Sequence, residues 1–178
     1  MRAILFLGLL LSLCASAQTA ASKSSPPRAQ AAQFSVPGFK DVAREAGLTV
    51  SHISTPEKKY IVESMSGGAG LIDCDNDGKL DIITVNGSTI DRYRQGGDPM
   101  ITLYHQDANF KFTNITVSAG LARKGWGMGV AVADYDNTGR RDVYVTGSGG
   151  NALSRNLGKC TFGEGPGRAG VPAGGVRR

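Results

Sequence analysis

The chain has 178 residues, 40% hydrophobic and 20% charged, with a formal charge of +5, 25 glycines and three cysteines. This is long enough for one domain with a substantial core. The positive excess does not describe a nucleic-acid surface, because Arg92, Arg94, Arg123, Lys124, Arg140, Arg141, Arg155 and Arg168 are scattered without an aromatic-interleaved stripe. They read mostly as solvated charge, with Arg177 and Arg178 as a frayed tail.

Met1–Ala17 reads as an export signal: Arg2 is a minimal basic start, Ile4–Leu13 an apolar run, and Ala15-Ser16-Ala17 a small-residue cleavage site. The apolar run is too short to cross a bilayer, which takes ~20 residues. The mature protein is therefore expected to be secreted or periplasmic, with no membrane insertion. Residues 18–38, rich in Ala, Ser, Gln and Pro, read as a flexible linker, so folding is expected from Phe39 to Val171 with a tail over 172–178. Cys14 leaves with the signal, which leaves Cys74 and Cys160. An oxidising compartment permits a bridge, but the two sit at non-equivalent repeat positions, and the expectation is two free thiols.

Asp73-Cys74-Asp75-Asn76-Asp77-Gly78-Lys79-Leu80-Asp81 places carboxylates at positions 1, 3, 5 and 9 around a glycine at position 6. A hard cation takes six to eight oxygens at ~2.3–2.6 Å, and alternating Asp side chains in a tight turn converge on one point. Lys79 would add only its backbone carbonyl and leave its ammonium in solvent. The helical calcium motif is excluded, because Thr84 stands where that motif needs a bidentate Glu and β-branched runs flank the loop. The loop thus joins two strands. A plain Asp/Asn/Gly turn is the bland alternative, but four carboxylates within nine residues would repel one another there.

The pattern recurs after 61 residues as Asp134-Tyr135-Asp136-Asn137-Thr138-Gly139-Arg140-Arg141-Asp142. A second phrase, Phe39 through Ala46-Gly47-Leu48, recurs as Phe112 through Ala119-Gly120-Leu121, and decays from Phe162 to Ala169-Gly170-Val171. Leu103–Phe112 also aligns with Leu153–Phe162 without a gap. Each unit reads as strand, acidic loop, strand, connection, strand, turn, strand. Gly67, Gly68 and Gly70, then Gly125, Gly127 and Gly129, would let neighbouring backbones approach closely.

The fold class expected is all-β: about two four-stranded antiparallel β-propeller blades of an incomplete propeller, with no helix beyond the signal. A calcium-loaded β-helix is the runner-up, but it wants tandem nonapeptides that are absent from this chain.

On the phrases Phe39–Leu48, Glu63–Gly87, Gly125–Gly147 and Leu153–Phe162, the sequence resembles the FG-GAP or VCBS-repeat family, in particular bacterial secreted proteins similar to cartilage acidic protein. The resemblance implies a propeller related to the integrin α-subunit headpiece, with calcium in the strand-to-strand loops. Its ligand positions fall on Asp73, Asp75, Asp77, the Lys79 carbonyl and Asp81, then on Asp134, Asp136, Thr138, the Arg140 carbonyl and Asp142. Two positions depart from the pattern: Thr138 stands where Asn or Asp is usual, and Lys159-Cys160 replaces an acidic-glycine turn. A third loop would fall due after Arg178, so the chain also reads as a fragment or a truncated, non-functional reading frame.

The function expected is a non-catalytic, exported calcium-binding module for a protein or glycan partner, or for further blades. Ser88–Met100, which the second repeat lacks, has the composition of an exposed contact loop. The competing reading is a fragment of a polysaccharide-acting enzyme, for which Glu63 and His52 are the candidates; neither has a partner carboxylate in sequence, and His105 reads as structural because Arg155 replaces it in the second repeat. Charge count ranks the first loop, with four carboxylates, as the tighter calcium site.

Overall fold

The computed structural model describes residues 37–165; the signal, the linker as far as residue 36, Ala169-Gly170-Val171 and the tail lie outside the described residues. The chain divides into Met1–Phe39 and Lys40–Arg178, and every described element belongs to the second unit. Its strands are β1 (Gly68–Ile72), β2 (Asp81–Val85), β3 (Asp98–Pro99), β4 (Ile101–Gln106), β5 (Phe112–Asn114), β6 (Lys124–Ala133), β7 (Asp142–Ser148), β8 (Ala152–Gly158) and β9 (Thr161–Glu164). They form two antiparallel sheets, ordered β1-β2-β4-β5 and β3-β6-β7-β8-β9.

Each repeat is thus a four-stranded meander, the form of a propeller blade. Asp81–Val85 and Asp142–Ser148, the exits of the two acidic loops, are strands as the β-branched runs imply. The second sheet gains a fifth strand at its edge because the Ser88–Met100 insertion donates β3, which pairs Asp98 with Gly125 and Pro99 with Lys124.

The core lies between the sheets, where period-2 alternation turns Ile83 and Val85 of β2 and Ile101 and Leu103 of β4 inward. Val143 and Val145 of β7 meet them from the other side, with Ala119, Leu121 and Phe162. Burying each large aliphatic side chain here contributes roughly 1.5–3 kcal/mol. The innermost strands touch: a Cβ at Gly70 would stand 3.3 Å from the Val130 side chain, and one at Gly127 would collide with the Met100 carbonyl. Glycine at these positions sets the closeness of the blades.

The expectation of no helix beyond the signal is incorrect. Short helices α1 (Ala43–Ala46), α2 (Ile61–Ser64) and α3 (Ile90–Arg94) and a 3-10 turn at Pro56–Lys58 all lie in connections. Helix α1 ends at Gly47, whose φ of 95° lets its N–H and that of Leu48 turn back onto the Arg44 and Ala43 carbonyls. Helix α3 begins where Thr89 accepts the Arg92 N–H at 3.3 Å. These are local capping devices, and a strand-by-strand reading passes over them.

Candidate metal centre

Both acidic loops are built alike. Ile72 pairs with Asp81 and Ala133 with Asp142, so each loop closes a tight strand-to-strand connection at the same register. Asn76 and Asn137, at position 4, are left-handed with φ of 62° and 55°, as are Gly78 and Gly139 at position 6. The first Asp caps the turn: Asp73 accepts the N–H of Asp77 at 3.1 Å and of Gly78 at 3.0 Å, and Asp134 those of Thr138 at 2.9 Å and Gly139 at 2.7 Å.

The ninth residue is a buried bracket. Asp81 is 1% exposed and accepts the Cys74 N–H at 3.0 Å and, from β4, the Gln106 N–H at 2.8 Å. Asp142 repeats this with Tyr135 at 3.1 Å and, from β8, Asn156 at 2.7 Å. Each carboxylate ties loop entry to the third strand of its blade. Burial raises the Asp81 pKa, and the two backbone donors and the His105 charge only partly offset that.

The donor set fits a hard cation. Carboxylate oxygens of Asp73, Asp75 and Asp77 lie within 4.8 Å of one another, and so do those of Asp134, Asp136 and Asp142. Oxygens on opposite sides of an ion at ~2.4 Å would be about 4.8 Å apart. Each carboxylate oxygen has two lone pairs, so one already taken by an N–H retains another. In the second loop Asp136 Oδ1 and Thr138 Oγ1 are buried without a well-aligned protein partner. The loops differ at position 9, where Asp142 joins its cluster and Asp81 faces Cys74 and Cys160 instead. Each loop therefore brings three carboxylates together, not four and three.

Two basic side chains that sequence reasoning set aside hold the third position of each loop. His105 Nε2 lies 3.3 Å from Asp75 Oδ2, and Arg155 Nε lies 2.6 Å from Asp136 Oδ2, as an ion pair off hydrogen-bonding line. The ungapped match of Leu103–Phe112 to Leu153–Phe162 puts these two residues at one repeat position, and their shared basic character was the available signal. Burial lowers the His105 pKa, but hydrogen bonds to Asp107 and Asp75 and the Asp81 charge raise it more, leaving it above its ordinary value. Burial likewise pushes Asp136 up, and the adjacent Thr138 and Arg155 bring it below the usual carboxylate range.

The Lys79 side chain is exposed as expected, but it is not unpaired. It pairs with Asp77, whose carboxyl it holds below the ordinary range. Arg140 is also engaged, donating from Nε to the Asn156 carbonyl at 2.8 Å. The reading of the cations as mostly solvated charge thus has exceptions at Lys79, Arg140 and Arg155, because an acidic loop leaves carboxylates and carbonyls within reach of the next strand.

The expectation of free thiols is corrected as well. Cys74 and Cys160 form a disulfide, with Cα atoms 4.8 Å apart, within the ordinary range of about 4.4–6.8 Å. Non-equivalence in the repeat is no obstacle, because neighbouring blades set the first loop of one against the β8–β9 turn of the other.

Glu63, the catalytic candidate, is 1% exposed and used as a bracket: it accepts from the Thr55 N–H at 2.6 Å, the Thr55 hydroxyl, and the Ile90 N–H at 2.9 Å. His52 Nε2 is 2.7 Å from the Glu63 carbonyl oxygen. The Ser88–Met100 insertion is tied down too, by Arg92 to Asp98 at 2.6 Å and by Tyr93, whose hydroxyl donates to the Ser148 carbonyl at 3.0 Å and whose ring meets Trp126 edge-on. Tyr93 thus spends its hydroxyl and ring on the fold, whereas the Arg92–Asp98 pair stays exposed within the insertion.

Two antiparallel meanders, each with an Asp-rich loop between its first two strands and packed face to face, define a repeat protein of the β-propeller type. Residues 73–145 match the FG-GAP-like repeat family, a stretch that starts at the first Asp of one loop and runs through the whole of the other, so this part of the chain is an FG-GAP-like repeat. No curated protein matches the chain. The narrower likeness to cartilage acidic protein therefore rests on the sequence phrases alone. No helix among the described residues is long and apolar enough to cross a membrane.

Proposed function

We propose that this protein is an exported, non-catalytic interaction module whose two acidic loops hold calcium. The observation that carries the reading is the convergence of three carboxylates within 4.8 Å in each of two equivalent strand-to-strand loops. Asp73, Asp75 and Asp77 would hold one ion, and Asp134, Asp136 and Asp142 the other, with Thr138 and the Lys79 and Arg140 carbonyls as neutral oxygens. Bound calcium would supply the positive charge that relieves carboxylate repulsion and stiffens the loop.

The chain's own residues do the rest. Asp81 and Asp142 fix each loop to the third strand of its blade, and Asn76, Asn137 and the position-6 glycines supply the bend. A module so stiffened presents its loops to a protein or glycan partner, and the FG-GAP-like match supports an interaction role. Glu63 and His52 spend their polar atoms on the fold, which favours binding over hydrolysis. Calorimetric titration of chelator-stripped protein with calcium tests the reading: two binding events are expected, and no heat with unchanged melting would overturn it.

A further inference from the structure

The first acidic loop is held from outside its own blade. The Cys74 carbonyl accepts two hydrogen bonds from the second sheet, from Asn156 Nδ2 at 2.9 Å and from the Cys160 N–H at 3.3 Å. The disulfide joins the same two segments. The Cys74 N–H, on the other side of that residue, donates to Asp81 Oδ2 at 3.0 Å, and Cys160 Sγ lies 4.0 Å from the same oxygen. Asn156 is itself fixed, its N–H on Asp142 Oδ1 at 2.7 Å and its side-chain oxygen accepting from Gly158 at 2.8 Å. A rigid chain of contacts therefore runs from the bracket of the second loop to the bracket of the first. All of Cys74, Cys160, Asp81 and Asn156 are at most 7% exposed.

Among the described residues the second loop has no such support. Its counterpart of Cys74 is Tyr135, 36% exposed, which can form no bridge. Both loops have the same turn and the same capping Asp; besides the Asp77-for-Thr138 exchange and the turning of Asp81 away from its cluster, the first loop differs in carrying this inter-blade clamp.

We infer that the Cys74–Cys160 disulfide, with Asn156, is the positioning element of the first cation site, which is thus a composite of two blades. The inference rests on the calcium reading above. The clamp fixes the Cys74 peptide, that peptide fixes the Asp81 carboxylate, and Asp81 sets where the loop begins and ends. Outer groups that orient a metal site typically change affinity by about 10- to 100-fold. Linkage makes the effect reciprocal: if the closed disulfide favours calcium at the first site, calcium there must favour the closed disulfide by the same factor.

The test reads the disulfide and does not require the reduced protein to stay folded. Dithiothreitol attacks one sulfur as a thiolate, then closes on itself; the protein gains two electrons and two protons as Cys74 and Cys160 thiols, and the reagent leaves as its cyclic disulfide. The disulfide-to-dithiol ratio at equilibrium in a dithiothreitol redox buffer is measured in chelator and in saturating calcium, for the full chain, for D75N/D77N, and for D134N. Calcium should shift that ratio about tenfold or more toward the disulfide in the unaltered chain and in D134N, and leave D75N/D77N unprotected. Protection that survives D75N/D77N, or that vanishes in D134N, overturns the inference while leaving calcium binding intact. Calorimetry on the same samples separates the two ideas, since absence of any calcium binding to the unaltered chain overturns both. As a second arm, the paired C74S/C160S variant should lose affinity at the first site and keep that of the second; equal losses at both would mean a general structural role.

Discussion

Replacing Arg155 with Gln should tighten calcium binding at the second loop. The Arg155 guanidinium sits 2.6 Å from Asp136 Oδ2, with side-chain exposures of 41% and 19%. A cation entering the loop must displace or share that partner. Pairs this exposed contribute about 0–1 kcal/mol after screening. A unit charge about 5 Å from a divalent ion in water-like surroundings adds roughly 1.7 kcal/mol of repulsion, about halved at physiological salt. Together these come to about 1–2 kcal/mol, or close to tenfold in affinity. Calorimetric titration of Arg155→Gln at 0.15 M salt measures it, with the first loop as internal reference. Unchanged or weaker binding at the second loop would refute the argument and make Arg155 a structural strut.

Calcium at millimolar concentration should raise the melting temperature over chelator, and magnesium should raise it less because it dehydrates reluctantly and demands a tighter octahedron; calorimetric scans in the three conditions check this. Asp142→Ala leaves one buried and one part-buried backbone donor unpaired, the buried one at about 1–3 kcal/mol and the other at less, so denaturant unfolding in chelator should show a loss of roughly 1–5 kcal/mol, with Asp142→Asn costing less. Acid should destabilise through Glu63. Burial raises its pKa, but hydrogen bonds from Thr55 and Ile90 and the Lys58 charge bring it below its ordinary value. Its contribution is therefore fully present above the unfolded pKa of about 4.3 and lost as pH falls through the lower folded value; urea unfolding of Glu63→Gln from pH 7 to 3 should show a flatter acid limb.

Much of the fold is legible in the sequence because repeats state it twice. The Asp-x-Asp-x-Asp/Thr-Gly pattern, recurring after 61 residues between β-branched runs, sets both loops and both of their flanking strands, since period-2 burial and a left-handed turn position are local properties of the chain. The six positions that cluster, Asp73, Asp75, Asp77, Asp134, Asp136 and Asp142, were all among the candidates. The glycines at 70 and 127 likewise announced close backbone approach.

What the tertiary structure alone decided concerns contacts between segments distant in sequence. The sequence counted Asp81 as a fourth ligand of the first loop; the fold turns it toward Cys74 and Cys160, while its repeat equivalent Asp142 stays with its cluster. The disulfide, the pairing of His105 and Arg155 with the third loop position, and the use of Glu63 to hold Thr55 and Ile90 join residues 8 to 86 positions apart. Periodicity reports which face of a strand is buried but not which blade covers it. That choice is made when two sheets pack, because closing such loops costs entropy that only the shared core between the blades can offset.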